Sequence, residues 1–279
     1  MELPDLNSSK HELHSRISAL GSKVTTFDLL RDWPEYEHVA GSNRSRLQEL
    51  GIKLEGNNDC SFLLNSSGRS FGYCRVLNIG TKSVILLGKP NEQFTVMNIR
   101  FAGNGCTFIA PDLSRQRCVI NDALFRSNDQ LLFFGVGSTS VGCSVELHGP
   151  SRIVAVGDDS MISSGIWVRN YDMHTIFDIE TGEIVNGTPV DTIVERHVWL
   201  GQDAILLSAE RIGEGSIIGA RSMVRGVIPG CTLAAGVPAR IIRRGVGWSR
   251  TPEAIAPSDA AFYRSVAEFQ SETTTEERR

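Results

Sequence analysis

An all-β fold, a parallel β-helix, is what this sequence predicts, and three observations predict it. Val194, Leu200, Leu206, Ile212, Ile218 and Val224 stand six residues apart without a miss. From about residue 51, short apolar pieces alternate with Gly, Asn, Asp and Ser, and no useful helical periodicity runs to residue 168. The chain carries 27 glycines but only 7% aromatic residues, which suits a fold full of tight turns.

A period of six fits neither a helix face near 3.6 nor a strand near two. It matches the hexapeptide repeat of β-helices. There each hexapeptide makes one short side and one corner. The aliphatic residue points inward, and a small residue after it eases the turn. Gly201, Gly213 and Gly219 hold that second place; Glu195, Leu207 and Arg225 hold it in the other hexapeptides. Between 51 and 168 the repeat is looser and recurs at about one coil. Val156-Gly157, Ile162 and Val168 are again six apart, but out of phase with the later set.

The phase breaks in 169–192, RNYDMHTIFDIETGEIVNGTPVDT, a polar stretch without the period. It reads as a loop ejected from the coil, and loops longer than about 12–15 residues are usually functional or disordered. Residues 1–50 read as a partly helical appendage on the end or side of the body. Ser8 or Ser9 would cap a helix through Leu13, Ile17 and Leu20. Leu29, Leu30 and Trp33-Pro34 suggest another local element, and Ser45–Leu50 a final helical turn. The β-helix domain is set at 51–250. In 251–279, a helix capped by Ser258 over 258–270 is expected, then a disordered tail.

The chain's 279 residues suffice for one large domain with appendages. Lys and Arg number 28 against 32 acidic residues, a net charge of −4 that gives no sign of a nucleic-acid binder. The six cysteines include no CxxC pair and no zinc spacing, so buried free thiols in a reducing compartment are expected. The first residues lack the apolar core of a secretory signal, and no stretch approaches the ~20 apolar residues of a membrane span. A cytoplasmic protein without membrane insertion is the expectation.

The run 198–244 resembles the hexapeptide-repeat acyltransferases. The matching pieces are Val198-Trp199-Leu200-Gly201, Ile218-Gly219-Ala220-x-Ser222-x-Val224, Ile228-Pro229 and Ala235-Gly236-Val237-Pro238-Ala239. The resemblance is strong over 153–250 and weak before. It implies a left-handed coil, against the usual crossover rule. It also implies a homotrimer with sites between subunits, and acetyl-coenzyme A as co-substrate with no metal. Trp167-Val168-Arg169-Asn170 and Trp248-Ser249-Arg250 look like segments of bacterial surface-polysaccharide acetyltransferases, which implies a saccharide acceptor.

Acyl transfer from a thioester needs a base for the acceptor and a donor for the oxyanion. His174, in the ejected loop, is the candidate base, as the family's loop histidine implies, and Asp172 is the candidate that orients it or binds acceptor. Trp199, one residue before the inward Leu200, should point outward, toward the pantetheine arm or a packing neighbour. By the resemblance, Gly201, Gly219 and Ala220 line the cofactor channel; corner geometry alone would explain small residues equally. Ala235, Gly236 and Pro238 form the turn near the adenosine half, with Arg240, Arg243 and Arg244 for the phosphates. Arg221 and Arg225-Gly226 depart from the family's residues there, so a cation is kept but shifted. Trp167, Arg169 and Asn170 are the candidates facing the sugar.

Three alternatives stand beside a saccharide O-acetyltransferase. One is an N-acetyltransferase of an amino sugar nucleotide or another small amine. A second is a zinc enzyme in which His148, His174 and His197 converge, although their spacings are not whole coils. The third is a β-helix scaffold without catalysis.

Overall fold

A computed structural model describes residues 6–91, 94–115 and 117–276. Its strands run in parallel along three faces of a coil. The first face starts with Ile52–Gly56 and Tyr73–Asn78 and continues through Phe94–Phe101, Arg117–Phe125, Thr139–Leu147 and Ile166–Arg169. The second starts with Cys60–Asn65 and Ser83–Gly88 and passes through Ile153–Val156 to Thr192–Val194. A third face opens later, where Thr139 pairs with Met161, and runs through Trp199–Leu200, Ile217–Ile218 and Thr232–Gly236.

Coil length differs between the halves. Ile52 pairs with Cys74 and Cys74 with Met97, a coil of 22–23 residues. Leu206 pairs with Val224 and Leu200 with Ile218, coils of 18. Three hexapeptides make the shorter coil, which is why the six-residue period is strict only after residue 190. The longer coils hold bigger residues: Phe62, Phe101, Phe108, Phe125 and Phe134 are buried, and the Phe101 and Phe125 rings meet tilted by 43° at 4.7 Å between centroids. The shorter coils bury Val194, Leu200, Leu206, Ile212, Ile218 and Val224, all six of the periodic residues.

The ejected loop is present. One strand ends at Arg169 and the next begins at Thr192, yet Val168 still pairs with Leu206 as in an uninterrupted coil. The parallel coil stops at Gly236. Ala239–Arg244 turns back antiparallel on Thr232–Gly236 and closes that end.

The N-terminal appendage lies on the side of the coil. Helix α1 (Leu6–Ser18) buries Leu13 and Ile17 against Leu63, Leu86, Ile109 and Phe133 of the second face. It starts before Ser8 and Ser9, so these serines sit inside the helix and do not cap it. Helix α2 (Leu29–Asp32) is capped instead by Asp28, whose side chain accepts from the backbone N–H of Leu30 and Arg31. Helix α3 (Arg44–Glu49) precedes the first coil, with Glu37–Ala40 antiparallel to Cys60–Asn65. Helix α4 (Pro257–Glu276) begins one residue before Ser258 and runs on past the expected end at 270. Of the expected tail, only 277–279 lie outside the described residues. All six cysteines are free, five buried and Cys231 half-buried. Among the described residues, no helix is long and apolar enough to cross a membrane.

Phe101→Ala is expected to lower the unfolding free energy by about 3–5 kcal/mol, because a fully buried ring leaves a cavity that neighbouring coils cannot close. Urea unfolding measures this; a loss under 1 kcal/mol would show that the long coils do not depend on their aromatic column.

Candidate active site

The ejected loop is pinned at its base by Asn170. This side chain is fully buried; its Nδ2 donates to the carbonyls of His148 and Val190, both at 2.9 Å, and its Oδ1 accepts from His148 N at 2.7 Å. With every polar atom engaged on backbone, Asn170 ties the two ends of the loop to the coil.

Beyond Asn170 the loop is a hairpin. Phe177 bridges Ile184, and Val185 N donates to Ile176 O at 2.8 Å. Asn186 Nδ2 donates to the His174 carbonyl at 2.7 Å, holding that residue's backbone. Met173, just before it, has φ of 73°, the left-handed region that a side chain with a Cβ adopts only when its surroundings fix it. The His174 ring is exposed and meets no hydrogen-bond partner among the described residues. Asp172 is not its partner. Arg225 Nη2, on the first-face strand Met223–Ile228, donates to Asp172 Oδ1 at 2.7 Å. Asp172 is therefore a loop anchor, and Arg225 is a site residue that sequence reasoning noted only as a departure from the family. Their separation of 53 residues, spanning the ejected loop, hid the pair.

Trp167 and Arg169 lie together at the loop base, on the outside of the first face. The Arg169 guanidinium sits 4.8 Å from the Trp167 ring centre. Glu146 opposes Arg169 at 3.3 Å and Arg126 at 2.6 Å, with His148 Nε2 at 3.5 Å. Burial pushes the His148 imidazole below its ordinary value, with Glu146 pulling the other way. Glu146, Arg126 and His148 had no sequence signal beyond their residue type.

The candidates for the cofactor fall into two groups. A Cβ on Gly201 would come within 2.7 Å of Ala220 N and Ile218 O, so its smallness serves the stacking of the next coil. Trp199 is half-buried; its Nε1 donates to Ser163 Oγ at 3.4 Å, and its ring lies 6.1 Å from that of Trp248. Packing against the C-terminal segment thus accounts for part of its outward face. Gly219 is half-buried and Ala220 exposed. Ala235, Gly236, Pro238 and Arg240 sit in or beside the closing hairpin, whose tip is open to solvent. Arg240, Arg243 and Arg244 are exposed, and among the described residues none has a carboxylate within ion-pair reach. Exposed guanidinium groups without a carboxylate in reach suit phosphate.

The three histidines proposed for zinc do not meet. His174 is exposed, His148 sits by Glu146, and His197 is buried under Trp248, 4.3 Å between stacked rings. Among the described residues, one different group could ligate a cation: Asp159, His197 and Asp259, with ligand atoms within 4.8 Å of one another. Asp159 already takes Arg115, Arg250 and His197 Nδ1 (2.8 Å), and Trp248 Nε1 donates to the His197 carbonyl. This cluster fastens the C-terminal segment to the coil.

No protein-family model matches the chain. Among curated proteins, it is 36% identical over 121 residues to the polysialic acid O-acetyltransferase of Escherichia coli O1:K1 / APEC, spanning 43% of this chain and 39% of that protein. It is 32% identical over 130 residues to the Neisseria meningitidis enzyme of the same name, spanning 46% and 57%. The matched region therefore covers about half of each relative's length or less. Among solved structures, the polySia-specific acetyltransferase NeuO aligns over 79% of this chain and 99% of its own, with a TM-score of 0.64 at 23% identity. The polysialic acid O-acetyltransferase OatWY aligns over 76% and 96%, with a TM-score of 0.56 at 22% identity.

In sequence and in fold, this chain resembles the hexapeptide-repeat acetyltransferases.

The coil is accordingly a left-handed β-helix of that class. The fastening of the C-terminal segment to the coil titrates. Desolvation alone would raise the Asp159 carboxyl. The hydrogen bond from His197 and the charges of Arg115 and Arg250 outweigh it and hold the group below its ordinary value. A carboxyl depressed by folding contributes stability that is present above its unfolded value, about 3.9, and is lost as pH falls through the lower folded value. Acidification below about pH 4 is expected to loosen the segment around Trp248, read as a change in tryptophan emission, and Asp159→Asn is expected to flatten that acid limb. An unchanged limb in the variant would remove Asp159 from the fastening.

Proposed function

We propose that this protein is an acetyltransferase that moves an acetyl group from acetyl-coenzyme A to a hydroxyl of a saccharide, a cell-surface polysaccharide or its precursor. The observation that carries the reading is the loop: a hairpin ejected from an unbroken coil that holds one histidine in the open. The polysialic acid O-acetyltransferases named above support the saccharide class of the acceptor.

In this reading His174 is the general base. It takes the proton of the acceptor hydroxyl as the oxygen attacks the thioester carbonyl. The tetrahedral oxyanion meets a backbone N–H near Gly201. The C–S bond then breaks, and the coenzyme A thiolate takes the proton from the imidazolium, leaving the acetyl ester and the free thiol. Arg225 and Asn186 hold the loop that bears His174, one through Asp172 and one through the His174 carbonyl. Trp199 and the closing hairpin border the pantetheine and adenosine halves, with Arg240, Arg243 and Arg244 toward the phosphates. Trp167 and Arg169 face the sugar.

A single chain leaves the site open. Ile176, Phe177, Ile184 and Val185 on the loop are more than half exposed and Ile179 is 92% exposed. That apolar hairpin calls for a cover, and a second copy of the chain supplies one. We therefore read the working form as a homotrimer in the cytoplasm, with the loop of one subunit closing on its neighbour.

His174→Ala is expected to lower kcat about 10²–10⁴-fold in a coupled thiol-release assay with saccharide acceptors, while calorimetry still detects acetyl-coenzyme A. An active variant would remove His174 as the base, and a wild-type protein without coenzyme A affinity would sink this reading in favour of a scaffold.

A further inference from the structure

The appendage covers only part of the second face. Outward residues of that face form rows from coil to coil, and α1 covers the row Leu63, Leu86, Ile109 and Phe133. The neighbouring row, Ser61, Val84 and Thr107, floors a cavity of about 330 Å³. Leu13 and Trp33 line it from the appendage, His38 from the strand Glu37–Ala40, and Arg16 of α1 reaches over its Thr107 end. Small-molecule sites begin near ~300 Å³, so the space suits a compact ligand.

Charge is divided between the inside of this cavity and its rim. Arg16 is half-buried; its Nη1 donates to Thr107 Oγ1 and its Nη2 to the Asp129 carbonyl, both at 2.9 Å. Its other N–H groups have no acceptor among the described residues. The charges of Glu12 and Asp129 act on the guanidinium, yet both carboxylates stand beyond ion-pair distance of it. Burial outweighs them and pulls Arg16 below its ordinary value. A partly desolvated cation without a contacting anion calls for one. His38 is half-buried too, and burial keeps its imidazole below its ordinary value, a neutral ring with one N–H to donate. At the rim, Glu12, Asp59 and Asp129 are exposed against one exposed cation among the lining residues, Lys82. A phosphate dianion would have to pass three carboxylates to reach one guanidinium. A zwitterion escapes that repulsion, because its ammonium meets the carboxylates while its own carboxylate meets Arg16, filling the gap between those charges.

We propose that this cavity is a binding site for an apolar α-amino acid, with the carboxylate on Arg16, the ammonium at Glu12 and Asp129, and the side chain over Val84 between Leu13 and Trp33. The site goes beyond the acetyltransferase reading and does not depend on it. Thr107 stands three coil steps before Thr192, where the ejected loop rejoins the coil, about 14 Å at the usual strand spacing of ~4.8 Å. A ligand there touches α1, the strand Glu37–Ala40 and the coil at once, so its binding tightens the appendage onto the coil.

The test is calorimetry on the full chain with L-leucine and L-phenylalanine, alongside thermal unfolding. At least one of the two is expected to bind with a Kd of about 1 mM or lower and to raise Tm as its concentration rises. Leucinamide, which lacks the carboxylate, and 4-methylpentanoate, which lacks the ammonium, are each expected to bind about tenfold more weakly than leucine or worse. Arg16→Gln is expected to weaken the amino acid by about tenfold or more, and Arg16→Lys to recover part of the loss. Ser61→Phe fills the cavity from its floor at a position outside both apolar clusters, so it is expected to abolish binding while Tm without ligand stays near that of wild type. No binding of either amino acid at about 10 mM, or binding unaltered in both Ser61→Phe and Arg16→Gln, overturns the site. Leucinamide or 4-methylpentanoate binding as tightly as leucine overturns the zwitterion, and inorganic phosphate binding more tightly than leucine overturns the amino acid in favour of a phosphate.

Discussion

The hydrogen-bond ladder between successive coils is the constraint on which the rest of the structure depends. Each coil contributes the same short strands at the same height, so an inward aliphatic or aromatic residue meets its counterpart in the next coil. The backbone amides of each strand are satisfied by the strands above and below. Register is therefore common to the whole column, and an inward residue misplaced in one coil would disturb both neighbours. The same register decides what stands outside. Residues 18 or 22–23 apart become neighbours on one face, which is how charged pairs such as Arg100–Asp122 arise from distant positions in the chain.

That register also explains how the coil can carry a long insertion. The strands before and after 170–191 still pair with those of the following coil, Trp167 with Ile205 and Ile193 with Arg211. The insertion therefore has to close only one gap, between the strand ends at Arg169 and Thr192. The entropy of closing a loop grows slowly with its length, so a long insertion costs little more than a short one. Asn170 and Asp191 fasten the two ends, the latter by accepting from Ile153 N at 2.9 Å. Between these fixed ends the hairpin is free to carry residues that a coil cannot. A coil residue faces either the core or a flat β-surface. His174 does neither.

How legible this was in the sequence depended on which physical rule placed each residue. The strict hexapeptides were readable because an 18-residue coil forces an aliphatic residue every six positions. The longer coils obscured the same architecture, since Phe101 and Phe125 stand one coil apart, Phe62 and Phe108 two coils apart, and no short period survives. The loop was readable as an interruption. What held it was not. Asn170 looked like a surface polar residue beside Trp167, and only the fold shows its amide closed on His148 and Val190. Asp172 looked like the neighbour of His174, because two positions in a chain suggest proximity, but its carboxylate turns to Arg225. Gly201 looked equally suited to a ligand channel and a corner, and only the fold shows how closely Ala220 N approaches it.

The anchoring of the loop bears on the chemistry proposed for it. A base that must take a proton and return it gains from a fixed position, since catalytic reach is a matter of a few tenths of an ångström. Here the backbone of His174 is held by Asn186, and the preceding turn by the Asp172–Arg225 pair, while the imidazole itself has no hydrogen-bond partner among the described residues. A ring without an orienting acceptor can present either nitrogen to a substrate. Fixing its tautomer then falls to a group from elsewhere, and the exposed apolar side of the same hairpin marks where a neighbouring copy would bring one. The loop thus unites two features that the coil alone does not offer: a histidine outside the β-surface, and an exposed apolar patch. An arrangement in which assembly and orientation of the base depend on one hairpin would keep the isolated chain inactive.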